Sequence, residues 1–145
     1  MKQMCKYALV QFMPFVETGE FANVGVVLCV PKNGYWDFKL APTQFGRVTT
    51  FFKEMDKKVY QVAIKKFTEE MQLTQKYAQE LYNQESVNFF TEITRQRESL
   101  LRFSPVRTLL TEHPEQELES LYERFIHRDF VNDKYKEDLM VSALR

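Results

Sequence analysis

At 145 residues, 44% of them hydrophobic and 28% charged, the chain has the size and composition of one folded domain with a substantial core, which excludes a largely disordered protein. Its 20 Lys and Arg balance 20 Asp and Glu, so it lacks the basic surplus of a protein that coats nucleic acid or an anionic membrane. A local basic patch stays possible within that balance.

Aromatic side chains are abundant, with 13 Phe and 7 Tyr, and such rings dominate cores and interfaces. Cys5 and Cys29 are the two cysteines, and no C-x-x-C pair occurs. That sparse usage reads as a reducing compartment, with both thiols acting as small buried hydrophobes and a disulfide between them left open. No secretory leader and no stretch of membrane-spanning length is visible. The expected location is the cytoplasm, with no membrane contact.

In chain order, Tyr7–Met13 is rich in β-branched and aromatic residues and predicts a strand, which Pro14 ends. After a loop through Glu17, Thr18 and Gly19, Asn23–Val30 is a nearly unbroken apolar run. Such a run predicts a central strand covered on both faces, and Gly25 inside it predicts a bulge or a close backbone approach. Pro31-Lys32-Asn33-Gly34 is a hairpin turn. Tyr35–Leu40 then alternates, with Trp36, Phe38 and Leu40 buried and Tyr35, Asp37 and Lys39 facing water.

From Phe45 the period becomes helical through Val48, Phe51, Phe52 and Met55. A helical stretch over about 56–82 is either one helix or two joined near Thr68–Gln72. Ser86 is the expected cap of a third helix carrying Phe89, Phe90 and Ile93. Leu100–Phe103 and Val106–Leu110 predict a strand, or two short ones, returning to the N-terminal sheet and broken at Ser104-Pro105. Pro114 starts a helix whose stripe is Leu118, Leu121, Tyr122, Phe125 and Ile126, and a last helix is expected over Asp133–Leu144. The fold expected is α+β: an N-terminal antiparallel meander over 1–42, a helical segment over 43–98, a returning strand over 99–111 and C-terminal helices over 112–145, all in one domain.

Chemistry-bearing residues are few. His113 and His127 have no second histidine or cysteine at ligand spacing. Glycines are scattered singly, so no phosphate loop is present, and no serine sits in a nucleophile elbow. Glu17, Glu20 and Asn23 sit on a glycine-bounded loop between two apolar strands and form the best candidate spot, with Arg47 as the basic residue that would pair with Glu20. A purely structural role, satisfying loop backbone or making that ion pair, outweighs a cation site or acid–base chemistry there. Arg95, Arg97, Arg102 and Arg107 form a basic cluster at the helix-to-strand junction that could contact phosphates, although Glu92 and Glu98 dilute it and a solvated face is the plainer reading.

Tyr7-Ala8-Leu9-Val10-Gln11-Phe12-x-Pro14, followed by Gly19-Glu20-Phe21-Ala22-Asn23-Val24-Gly25-Val26-Val27-Leu28, resembles the opening signature of the bacterial domain-of-unknown-function family 3037. Phe38-x-Leu40, Arg47-Val48, Phe51-Phe52 and Pro105-Val106-Arg107 resemble its later pattern, as does Glu117-Leu118-x-x-Leu121-Tyr122-x-x-Phe125. Ala22 departs from it, standing where members commonly carry a β-branched residue. The resemblance implies no catalytic residues and no cofactor. Because members are often encoded beside a HipA-like kinase, it implies a protein partner of that kind, in a toxin, phage-defence or mobile-element setting.

The reading that follows is a non-enzymatic, protein-binding accessory module with no metal. The alternatives are a nucleic-acid-associated factor using the arginine cluster, and a small metal-dependent hydrolase or nuclease at the Glu17, Glu20 and Asn23 loop.

Overall fold

A computed structural model describes residues 2–95 and 99–127. Its strands are β1 (Gln3–Phe12), β2 (Ala22–Val30), β3 (Tyr35–Leu40), β4 (Leu101–Phe103) and β5 (Arg107–Thr111). Its helices are α1 (Gly46–Phe51), α2 (Lys57–Ala78), α3 (Asn83–Ile93) and α4 (Pro114–Tyr122), and a π-helical turn over Glu123–His127 follows α4. The expected helix over Asp133–Leu144 lies outside the described residues. No helix among the described residues is long and apolar enough to cross a membrane.

The expected α+β architecture holds. The strands form one antiparallel sheet in the order β3-β2-β1-β4, with β5 also pairing β1. β1 starts earlier than its sequence pattern predicts, at Gln3, because Gln3 to Tyr7 pair with Thr111 to Arg107. β4 and β5 are two pieces of one returning strand, both laid along β1 and interrupted at Ser104-Pro105. Ser104 repairs the gap. Its N–H donates to the Leu9 carbonyl at 2.9 Å, and its Oγ accepts the Leu9 N–H at 2.8 Å. Pro105 cannot donate to a ladder and sits where none is needed.

β2 is buried throughout Val24–Val30, as its apolar run predicted. The register shifts opposite Val10/Gln11, so Gly25 pairs with Val10 while Asn23 pairs with Gln11. Both expectations for Gly25 are met. A bulge lies beside it, and a Cβ there would meet the Leu40 side chain and stand 2.9 Å from the Lys39 carbonyl. Gly34 closes the β2–β3 turn at φ 74°, with the Tyr82 ring 2.8 Å from where a Cβ would stand.

Alternation along the strands sorts the core. One face carries Ala8, Val10, Phe12, Val27, Trp36 and Phe38 and is covered by α1, α2 and α3. Phe12 meets Phe52 and Tyr60 edge-on, and Phe67 stacks with Phe103. α2 is one continuous helix because Tyr60, Ile64, Phe67 and Met71 keep a single buried stripe, and the Thr68 hydroxyl donates to the Ile64 carbonyl within it.

The other face carries Tyr7, Leu9, Val26, Leu28 and Lys39, and α4 packs on it. Here Tyr35, Asp37 and Lys39 are half-buried rather than wet. Lys39 forms an ion pair with Glu119 and lies over the Tyr122 ring, so α4 covers a surface whose polarity suggested solvent. Ser86 is not a cap. It lies one turn inside α3, buried next to Cys29. The helix instead starts where Asn83, at φ 54°, donates its N–H to the Pro31 carbonyl at 2.7 Å.

Candidate functional site

The loop joining β1 to β2 is organised by Thr18. Its hydroxyl donates to the Phe15 carbonyl at 3.1 Å and accepts the Glu20 N–H at 3.3 Å, and Gly19 follows at φ 69°. Neither glutamate does this work. Glu17 and Glu20 both point into solvent. Asn23 is half-buried, and its Oδ1 accepts from Gln11 Nε2 at 3.4 Å. Arg47 reaches the Ile126 carbonyl through Nη1 at 3.5 Å. No ion pair joins Glu20 to Arg47 among the described residues, so the four candidates are divided between an exposed loop and the packed end of the sheet. Among the described residues, no three His, Cys, Asp or Glu side chains are grouped so as to hold a metal ion.

The arginine cluster also divides. Arg95 follows the C-cap of α3 and is ion-paired with Glu92 at 2.7 Å, out in solvent where the pair is screened. Arg97 lies outside the described residues. Arg102 and Arg107 pair with Gln11 and Tyr7 respectively, so both project on the α4 side of the sheet. Their separation along β1 is about 13 Å, at roughly 3.3 Å per residue.

What the fold brings together is different. After β1, the Met13 N–H donates to the Leu100 carbonyl at 2.8 Å, tying the loop to the segment that enters β4. A shallow notch of about 340 Å³ opens there, lined by Met13, Pro14, Val16, Ser99, Leu100 and Arg102. Its wall is apolar, with Val16 64% and Leu100 37% exposed. Arg102 supplies the charge, and its Nε donates to the Ser99 carbonyl at 2.9 Å, which fixes the guanidinium at the rim. Thus one arginine of the expected basic cluster meets the loop that carries Glu17. Met13, Pro14, Val16 and Leu100 were invisible as site residues, because a strand end and a strand start reveal nothing of the pairing between them.

The remaining reactive groups are muted. Cys5 and Cys29 are buried free thiols. Lys6 pairs with Cys29, so its neighbour Cys5 projects from the opposite face of the sheet and no disulfide can join the two. Burial, then Glu117, pushes the Cys5 thiol up to about 11, and burial, then Cys5, pushes Cys29 up to about 12. Neither is a thiolate nucleophile near neutral pH. His127 Nδ1 lies 2.9 Å from Glu123 Oε2 on an exposed turn, and His113 precedes α4 without capping it.

The site is therefore an apolar notch with one oriented cation, and no acid–base or nucleophilic machinery is assembled there among the described residues. No curated protein and no solved structure matched the chain. A family model did, that of a protein of unknown function (DUF3037), over residues 7–126. The match spans most of the chain, which therefore belongs to the DUF3037 family.

Proposed function

We propose that the chain is a non-enzymatic protein-binding module of the bacterial cytoplasm, acting as an accessory to a partner protein. The observation that carries this reading is the notch: exposed Val16 and Leu100 beside Met13 and Pro14, with Arg102 held at the rim. Methionine and aliphatic walls adapt to an inserted side chain, and arginine is enriched among residues that dominate binding energy. The partner segment that fits is an apolar anchor followed by a carboxylate that meets Arg102. The family resemblance makes a HipA-like kinase the first candidate, within a toxin, phage-defence or mobile-element system. Two free, buried cysteines suit a reducing cytoplasm.

The test is capture of the HipA-like kinase from a bacterium that encodes the two genes side by side. It compares the native chain with a Val16→Asp, Leu100→Glu variant whose folding is checked by circular dichroism. The proposal expects kinase recovery with the native chain and at least tenfold less with the variant. Equal recovery by both, or none by either, overturns it. Salt-dependent DNA binding that is lost in Arg102→Glu, Arg107→Glu would move the function to nucleic acid instead.

A further inference from the structure

Backbone N–H and C=O groups of successive strand residues point to alternate sides, so one fixed bond sets the whole ladder. Leu9 bonds Ser104 through both its N–H and its carbonyl, which means that the odd residues of β1 face β4 and β5. Their partners Arg107, Leu109 and Thr111 therefore turn inward. Thr108 and Leu110 turn their backbone groups outward, away from β1. Among the described residues no hydrogen bond reaches those outward groups. An exposed edge of this kind is a template for another strand.

The side chains along this edge match themselves. Antiparallel pairing of β5 with a second β5 about a two-fold axis through Leu109 overlaps the whole strand Arg107–Thr111. Thr108 then faces Leu110 of the other copy, and these two outward-turned residues exchange both of their hydrogen bonds, twice by symmetry. Arg107 faces Thr111, so no like charges meet. Leu109 faces Leu109 as the close pair between hydrogen-bonded ones.

The same register explains an uncovered apolar row. Leu110 is 64% exposed and its β1 partner Met4 is 42% exposed, the latter at the rim of a cavity shared with Asn83, Gln84 and Val87 of α3. Across the junction the two Leu110 side chains become diagonal neighbours, about 7–8 Å apart, with each Met4 flanking. A formal net charge of zero adds no long-range repulsion between copies.

We propose that β5 is a homodimerisation edge, on which two copies join their sheets antiparallel about Leu109 into one continuous sheet. The occupant is a second copy of this chain, because the edge is self-complementary in hydrogen bonding, charge and apolar side chains. An interface of this length is small, so the association is concentration-dependent. The surface is separate from the notch at Met13–Val16 and Leu100, and the proposal stands independently of the partner reading.

Sedimentation of the native chain over a concentration series is expected to show the mass rising from 17.4 kDa towards twice that value. Thr108→Pro removes an outward N–H and the exposed hydroxyl that accepts from Lys6 Nζ while leaving every backbone bond to β1 in place, and is expected to stay monomeric throughout with an unchanged circular-dichroism spectrum. Leu110→Lys, which needs no backbone change, is expected to do the same and serves if the proline variant does not fold. Leu109→Cys is expected to give a covalent dimer on mild oxidation, because facing residues of a non-hydrogen-bonded pair have the Cα spacing a disulfide requires. Cys5 faces position 109 across the β1–β5 ladder, so this variant also carries Cys5→Ala, and Cys29 is buried on the opposite face of the sheet. A native chain that stays monomeric at millimolar concentration overturns the proposal. So does a dimer that persists in Leu110→Lys, or a Leu109→Cys dimer that forms no cross-link on oxidation.

Discussion

Along the β3 edge of the sheet, two outward backbone groups, the Trp36 carbonyl and the Phe38 N–H, are met by side chains. Gln75 of α2 donates through Nε2 to the Trp36 carbonyl at 2.8 Å and to Asp37 Oδ1 at 3.1 Å, and that same Oδ1 accepts the Phe38 N–H at 2.8 Å. Along β5, the backbone of Thr108 and Leu110 meets no such group among the described residues. One edge is partly blocked by side chains and the other is left able to accept a strand. Native proteins commonly blunt exposed edges, and β5 is the edge on which the proposed second copy would pair. The notch and its arginine lie on this side as well, at the start of β4.

Breaking the β3 side should cost most. Gly25→Ala places a methyl against Leu40 and the Lys39 carbonyl of β3, and backbone must move to admit it. A loss of about 3 kcal/mol in chemical denaturation is expected. A loss below about 1 kcal/mol would mean that the bulge relaxes freely.

Ser104→Ala is expected to cost about 2 kcal/mol, because the buried Leu9 N–H loses its acceptor. Amide exchange at Leu9 should accelerate with it. Unchanged protection there would show that the backbone closes the gap without the hydroxyl. Gln75→Ala should cost about 1 kcal/mol and, more tellingly, open the β3 edge. The variant should aggregate more readily than the native chain on mild heating, and equal solubility would show that Gln75 does not guard this edge.

Between the edges, the two thiols predict a pH effect confined to alkaline solution. Their folded-state values lie above the ordinary thiol value of 9.0, so the protonated form is favoured by folding. This contribution is fully present below about pH 9 and is lost as the pH rises through about 11 for Cys5 and about 12 for Cys29. Melting temperature should therefore show no thiol-linked change from about pH 7 to 9 and fall above it. Native-state thiol labelling at about pH 8 should be slow, and rapid labelling would contradict the burial of both residues.

Much of this fold was legible in the chain, and the exceptions share a cause. The β2 run, the Pro31–Gly34 turn and the Ser104-Pro105 break are local patterns, each decided by residues adjacent in sequence. The early start of β1 was not, because Gln3, Met4 and Cys5 become strand residues through Thr111, Leu110 and Leu109, which lie about a hundred residues further along the chain. Lys39 reads as solvent-facing until Glu119 and Tyr122 arrive with α4. Ser86 reads as a cap, yet Asn83 and the Pro31 carbonyl set where α3 begins. At the candidate site the loop was singled out for its acids, Glu17 and Glu20. The fold turns both to solvent and builds the notch from the apolar neighbours Met13, Pro14 and Val16 with Leu100 and Arg102.

The most direct test of the unequal edges is residue-resolved amide exchange at low and high protein concentration. The account predicts that Phe38 is protected at both, as are the inward-bonded Arg107 and Leu109. Thr108 and Leu110 should exchange rapidly in dilute solution and become protected as concentration rises. Protection of Thr108 and Leu110 in the dilute monomer, or continued rapid exchange in the concentrated sample, would contradict it.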